Sequence, residues 1–286
     1  MVDNARIDPG AIIGEGAEIS RSAVIGSSVV LGRSVHIDAG SIVIGPCEIG
    51  DGCTIAAGCI LDPSSDPAAG TLRMDPGVAL LPGVMVVSKL HIGTGARILA
   101  GTVVHRSIPP HAIVQGNPAQ IVGYTLSGSG AAPVLGGSSD GGTGVLESNV
   151  PGVALHRLQK VLDLRGNLSV GEFERTVPFA AKRYFMVFGV PNAEIRGEHA
   201  HRTCHQFLVC AHGRCSVVAD DGAHREEFLL DDPSVGLYLP PLTWGIQYKY
   251  SADAVLVVFA SEYYDSAEYI RDYDELVRLN RERRSP

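Results

Sequence analysis

The 286 residues carry a formal net charge of −8, which disfavours general electrostatic binding of nucleic acid, and no apolar run approaches the roughly 20 residues needed to cross a bilayer. Thirty-four glycines against an aromatic content of 6% point to many tight turns rather than to a helical bundle. The opening run of Met1, Val2, Asp3, Asn4, Ala5 and Arg6 lacks the basic-then-apolar order of a secretion signal, so a cytoplasmic protein is expected.

From Ile7 onward an aliphatic residue returns every sixth position, at Ile13, Ile19, Ile25, Leu31, Ile37, Val43, Ile49, Ile55 and Leu61. Four places after each stands a small or β-branched residue, as at Ala11, Ala23, Val35, Ser41, Cys47, Cys53 and Cys59. A period of six suits neither an amphipathic helix nor a hairpin meander; it suits a solenoid of short strands joined by corners. The aliphatic residue points inward and the small one fits where the corner pinches. After an irregular stretch from Asp62 to Gly70 the period resumes at Met74 and continues through Leu80, Val86, Ile92, Ile98 and Val104. The gap of thirteen breaks the register, so a loop is extruded there.

These repeats resemble the hexapeptide-repeat acyltransferases, which implies a left-handed parallel β-helix. The segment from Ile98 to Ala119 resembles the terminal coil of that family and the loop after it. The resemblance implies that Ala100, Gly101, Asn117 and Pro118 lie along acetyl-CoA. His36, His91, His105 and His111 are candidates for an acetyl-transfer base, though none stands in a distinctive motif; His36 and His91 fall at the last place of a hexad, read as a solvated corner. The acceptor loop with Asn and Trp that many sugar N-acetyltransferases carry is missing.

Residues 126–150 are read as a linker, nearly free of large apolar groups from Leu126 to Gly144. They separate a first domain over 1–125 from a second over 151–286. In the second, strand-like runs alternate with turns such as Asp220, Asp221, Gly222 and Asp231, Asp232, Pro233, as in an antiparallel barrel. The tail from Ser266 to Arg284, with Tyr269, Ile270, Tyr273, Leu276 and Leu279 among charges, predicts a terminal helix. The expected fold class is therefore all-β: a β-helix, then a barrel, then one helix. Cys204, Cys210 and Cys215 lack metal-site spacing, and all six cysteines are read as small buried side chains.

The second domain is organised around Arg196, Gly197, Glu198, His199, Ala200, His201 and Arg202. On a strand, residues two apart share a face, so His199 and His201 point the same way. Four residues later comes Gln206, and six after that Gly213, which reproduces the first cupin motif with Gln in place of Glu. The second-motif region, from Gly236 to Tyr248, offers no histidine. A neutral amide balances no cation charge, so the pocket is read as metal-free. Two imidazoles without a metal suit proton transfer near neutral pH, and Arg196 beside them suits a substrate phosphate or a developing enolate oxygen. Tyr238, Trp244, Gln247 and Tyr248 are expected to face the same pocket, together with Gln206, as substrate-binding groups.

Beyond the histidines, the runs around Asp163, Arg165 and Gly166, around Tyr238 and Pro240, around Tyr263 and Tyr264, and around Tyr269, Arg271 and Tyr273 resemble the sugar nucleotide 3,4-ketoisomerases, an RmlC-like branch of the cupins. The similarity covers about residues 153 to 280. It implies that His199 and His201 move protons as a dTDP-4-keto-6-deoxy sugar becomes the 3-keto isomer through an enediol, with His199 as the base at C3. Phe185 and Met186 stand where some ketoisomerases have tyrosines, so those partners are not carried over.

Together the two halves resemble the WxcM-like bifunctional proteins, implying isomerisation by the second domain and acetyl-CoA-dependent N-acetylation of a dTDP-3-amino-3,6-dideoxyhexose by the first. Trimeric β-helices and paired cupins would close into a hexamer. Two other readings stand beside this one: an isomerase whose β-helix is only a scaffold, and a noncatalytic sugar-nucleotide-binding protein. A metal-dependent oxygenase is disfavoured by Gln206 and the missing histidine.

Overall fold

The computed structural model describes residues 6–67, 70–126, 143–191 and 194–284. The chain divides into two units, 1–125 and 126–286. Most of the predicted linker, residues 127–142, lies outside the described residues. Its final part belongs to the second unit: Gly144–Glu147 is a strand paired with Ala154–Arg157, so the connection ends before the expected boundary at 150.

In the first unit every hexad contributes a strand of two or three residues, and successive hexads go to three different parallel sheets. A strand therefore stacks on the one a full turn earlier, as Ile42 stacks on Val24 and Ile60 on Ile42, eighteen residues apart. The sixth-position aliphatics from Ile19 to Val104 are buried, as are Val35, Cys47, Cys53 and Cys59 at the corners. Each inward Ile or Leu contributes about 1.5–3 kcal/mol relative to exposure, and stacking is what encloses it.

Met85 follows Ile60 by twenty-five residues rather than eighteen, so the extruded loop holds seven extra. It begins with a single helical turn, Pro63–Ser65. Lys89 fastens the loop to the coil, its backbone N–H reaching Asp66 Oδ2 at 2.8 Å and its ammonium Asp66 O at 2.9 Å. At the far end Ala112–Gln115 pairs with Arg97–Ile98 and turns back antiparallel onto Gln120–Tyr124, closing the coil.

Because inward and outward residues alternate, the neighbours of the buried aliphatics form ladders on the outside. One ladder runs Arg6, Val24, Ile42, Ile60, Met85 and Val103 and is apolar from Val24 onward. Another runs Val30, Glu48, Arg73 and His91. His36 and His91 are thus outward strand residues and not corner residues as expected; the corner falls one place after the buried Ile37 and Ile92.

The second unit is a barrel of two antiparallel sheets. One joins, in spatial order, Gly144–Glu147, Ala154–Arg157, Val235–Leu239, Gln206–His212, Val255–Ala260 and Arg183–Phe188. The other joins Arg225–Leu230, Cys215–Asp220, Trp244–Tyr248, Arg196–His201 and Tyr269–Ile270. Leu208, Cys210, Val217, Phe228, Leu237 and Leu256 fill the space between them. The predicted tail helix is shorter than expected. Ser266–Glu268 is a single 3-10 turn, Tyr269–Ile270 is the edge strand just named, and the helix runs Tyr273–Arg284. Tyr269 and Ile270 leave the helical pattern because their backbone pairs with His201 and Ala200.

Candidate active site

The histidine strand, Arg196–His201, is not a regular strand. Its register against Trp244–Tyr248 shifts between Gly197 and His199, and the residue between them, Glu198, has φ +55°. The bulge sets Arg196 opposite Gln247 and His199 opposite Gly245, two residues of a single face. Three positions apart in sequence, Arg196 and His199 therefore share the side from which His201 also projects. Gly197 makes this possible: with φ +85°, a Cβ there would stand 2.4 Å from the Gly245 carbonyl oxygen and 3.2 Å from the Gln247 amide.

The two imidazoles meet edge to face with ring centroids 5.0 Å apart. Tyr269, from the strand after the 3-10 turn, closes over both, 4.8 Å from His199 and 4.5 Å from His201. A carbonyl only accepts, so the 2.9 Å contact between His199 Nδ1 and Gly197 O puts the proton on Nδ1 and leaves the Nε2 lone pair free. His201 is bonded the other way. Gln206 donates its amide N–H to His201 Nε2 at 3.0 Å, which leaves the ring proton on Nδ1. That Nδ1 is buried and has no hydrogen-bond partner among the described residues.

Burial lowers the pKa of both imidazoles. For His201 it combines with the charges of His199 and Arg183 to bring the value down to about 4. In His199 the downward pull of burial and of Arg271 exceeds the upward pull of the Gly197 hydrogen bond. Both rings are therefore neutral at pH 7. Arg183 lies over the rings of Phe185 and Tyr264, and Arg271 over Tyr269 at 4.5 Å. These two cations and Tyr269 are the site groups that sequence reasoning missed. Arg271 and Tyr269 stand inside a motif run whose apolar spacing also fits a helix, and Arg183 opens the strand that leads to Phe185.

The sequence-predicted binding residues divide by face. Gln206 and Gln247 are buried on the inner side with the histidines, and Arg196 is exposed at the edge of the same face. Tyr238 is not with them. It pairs with Phe207, packs in the separate cluster of Leu158, Val177 and Phe207, and shares a hydrogen bond between its hydroxyl and His205 Nδ1 at 2.6 Å. Trp244 and Tyr248 alternate with Gly245 and Gln247 and so lie on the outer face of their sheet, where Trp244 meets Tyr273 of the helix edge to face at 5.4 Å. Strand alternation is the reason: neighbouring Gln247 and Tyr248 cannot both face inward.

In the first unit, Ala100 and Gly101 form one exposed turn and Asn117 and Pro118 another. The two are tied together, Val103 N–H to Gly116 O at 3.1 Å and Gly116 N–H to the Thr102 hydroxyl at 3.3 Å. Of the four candidate histidines, His36 meets the exposed Glu18, whereas His91 Nε2 donates to the buried Asp75 at 2.8 Å. Asp75 and Arg73 line an open cavity of about 470 Å³ that also includes Glu48, Met74 and Pro76. All six cysteines are buried and unbridged. Among the described residues no three His, Cys, Asp or Glu side chains gather as a metal site would require.

With this geometry in hand, residues 151–281 match the family described as WxcM-like, C-terminal (FdtA), and residues 28–63 match the bacterial transferase hexapeptide family. A TDP-4-oxo-6-deoxy-alpha-D-glucose-3,4-oxoisomerase of Aneurinibacillus thermoaerophilus is 44% identical over 116 residues, which cover 41% of this chain and 84% of that protein. Among solved structures, the sugar 3,4-ketoisomerase QdtA of Thermoanaerobacterium thermosaccharolyticum, in complex with TDP, is 35% identical over 47% of this chain and 98% of its own, with a TM-score of 0.46. The TDP-quinovose 3,4-ketoisomerase WlaRB of Campylobacter jejuni is 36% identical over 45% of this chain and 99% of its own, with a TM-score of 0.44. A β-helix of hexapeptide repeats followed by a barrel that matches a 3,4-oxoisomerase across most of that relative's length shows that this chain belongs to the WxcM-like family.

Proposed function

We propose that the second unit isomerises dTDP-4-keto-6-deoxy-D-glucose to its 3-keto isomer by proton transfer between His199, His201 and the sugar. The observation that carries this reading is the pair of neutral imidazoles on one face, one with a free lone pair and the other with a free N–H. His199 Nε2 takes the hydrogen on C3 as its electrons form the C3–C4 double bond, and negative charge develops on O4. An N–H donor beside O4 stabilises that charge. Once that proton has exchanged with solvent, a proton is delivered to C4 as the enediol collapses, and the C3 hydroxyl proton ends on O4, so the sugar has no net gain or loss of protons. Arg183, Arg196 and Arg271 suit the diphosphate, and Gln247 suits a sugar hydroxyl. No step calls on a metal. Incubating the protein with the 4-keto nucleotide in deuterated water tests this by NMR: the expected result is a 3-keto sugar carrying deuterium at C4. An unchanged sugar with no deuterium would leave only a binding protein.

For the first unit we propose acetyl transfer from acetyl-CoA to the amine of a dTDP-3-amino-3,6-dideoxyhexose. The linked turns of Ala100, Gly101, Asn117 and Pro118 suit the extended cosubstrate. His91, oriented by Asp75, suits removal of the proton from the attacking amine, whose nitrogen bonds the acetyl carbon as the C–S bond breaks and the thiol leaves. Release of free thiol only when both substrates are present supports this; its absence favours the β-helix as scaffold.

A further inference from the structure

We propose that Gln206 is a positioning residue, and that its amide fixes His201 as the Nδ1–H tautomer so that the two histidines take different roles at the substrate. This rests on the isomerase reading of the second unit. A strand that carries two histidines on one face gives them equal chemistry unless something else sets their protons. Here two different partners do so. The Gly197 carbonyl draws the His199 proton to Nδ1 and leaves a basic Nε2, while the Gln206 amide occupies His201 Nε2 and leaves an N–H at Nδ1.

The second observation is the orphan. His201 is 4% exposed and Gln206 8%, so their bond is sheltered from water, yet His201 Nδ1 has no acceptor among the described residues. A buried N–H without a partner is unfavourable. A substrate oxygen that accepts from it removes that cost, and O4, where charge develops, gains most. His201 is therefore the donor to the ketone oxygen and His199 the base at carbon.

The substitution within the cupin motif has a physical meaning on this account. A carboxylate at position 206 would accept, not donate. It would pull the proton to Nε2, leave a lone pair at Nδ1, and favour the imidazolium. Gln keeps the ring neutral with its proton on Nδ1.

Steady-state rates of the full chain with dTDP-4-keto-6-deoxy-D-glucose, from about pH 5 to about pH 9, test this with Gln206→Leu and Gln206→Glu. For the leucine variant the expected result is KM within about twofold of wild type and kcat lower by about tenfold or more, as expected when an orienting partner is lost. For the glutamate variant the acid limb of kcat/KM moves up by about one pH unit. If KM rises while kcat and the acid limb stay in place, Gln206 is a substrate contact and the proposal is overturned. Should the leucine variant fail to fold, the nearly isosteric glutamate variant decides alone. A wild-type protein that does not isomerise the sugar removes the isomerase reading, and this inference with it.

Discussion

His201 shows how one buried side chain links stability to function. Its ordinary pKa of 6.5 falls to about 4 in the folded protein. Between those values the unfolded chain binds a proton that the folded chain does not, so stability is lost as pH falls through that window. The loss reaches roughly 3 kcal/mol at most, and His199 adds to it in the same direction. Denaturant unfolding of the second unit at pH 7 and near pH 4.5 should show this loss, and His201→Asn should flatten it. An equal slope in both proteins would mean that other groups carry the acid sensitivity. Above the window both rings are neutral, which is the state the proposed proton transfers require.

At the scale of elements, the C-terminal helix holds the histidine strand from behind. Asn280 donates to Asp221 O at 3.0 Å and to Leu242 O at 2.8 Å, and the Leu242 N–H donates to the His201 carbonyl at 2.7 Å. Trp244 lies beneath Tyr273 of the same helix, not beside the sugar site. Asn280→Ala should therefore cost about 1–3 kcal/mol of stability, and Trp244→Phe should leave the KM for the sugar nucleotide within about twofold of wild type. Thermal unfolding and steady-state kinetics check the two; a large rise in KM for Trp244→Phe would return the indole to the binding face. The same elements show what the sequence could and could not reveal. The hexad period marks the β-helix because every sixth residue meets the same inward environment, and the spacing of His199, His201 and Gln206 points to three side chains that the fold brings together in the candidate site. Which of Gln247 and Tyr248 faces inward was not legible, because a shift of one residue exchanges the faces of a strand and the register is set by the bulge at Glu198. Tyr269 was read as helical because the apolar spacing of Tyr269, Tyr273, Leu276 and Leu279 also fits a helix; its pairing with His201 is a tertiary contact.

At the scale of the whole molecule, the described residues of each unit include an apolar row on an outward face, half-buried on the β-helix and exposed on the barrel. On the β-helix it is the ladder of Val24, Ile42, Ile60, Met85 and Val103. On the barrel it is the outer side of the edge strand Arg183–Phe188, where Tyr184, Met186 and Phe188 are 64%, 49% and 68% exposed. Contiguous apolar rows of this kind mark association surfaces, and an edge strand left bare invites pairing. We propose that the ladder joins three chains and the edge strand joins two. Because the rows lie on different units, each contact can be broken without the other. Light scattering of the wild-type chain should give a hexamer. Ile60→Asp should reduce it to dimers that still isomerise the sugar nucleotide, whereas Met186→Asp should reduce it to trimers. If either variant falls directly to monomers, the two surfaces depend on each other and the separation into threefold and twofold contacts is wrong. A wild-type monomer would remove both surfaces from association and leave the apolar rows unexplained.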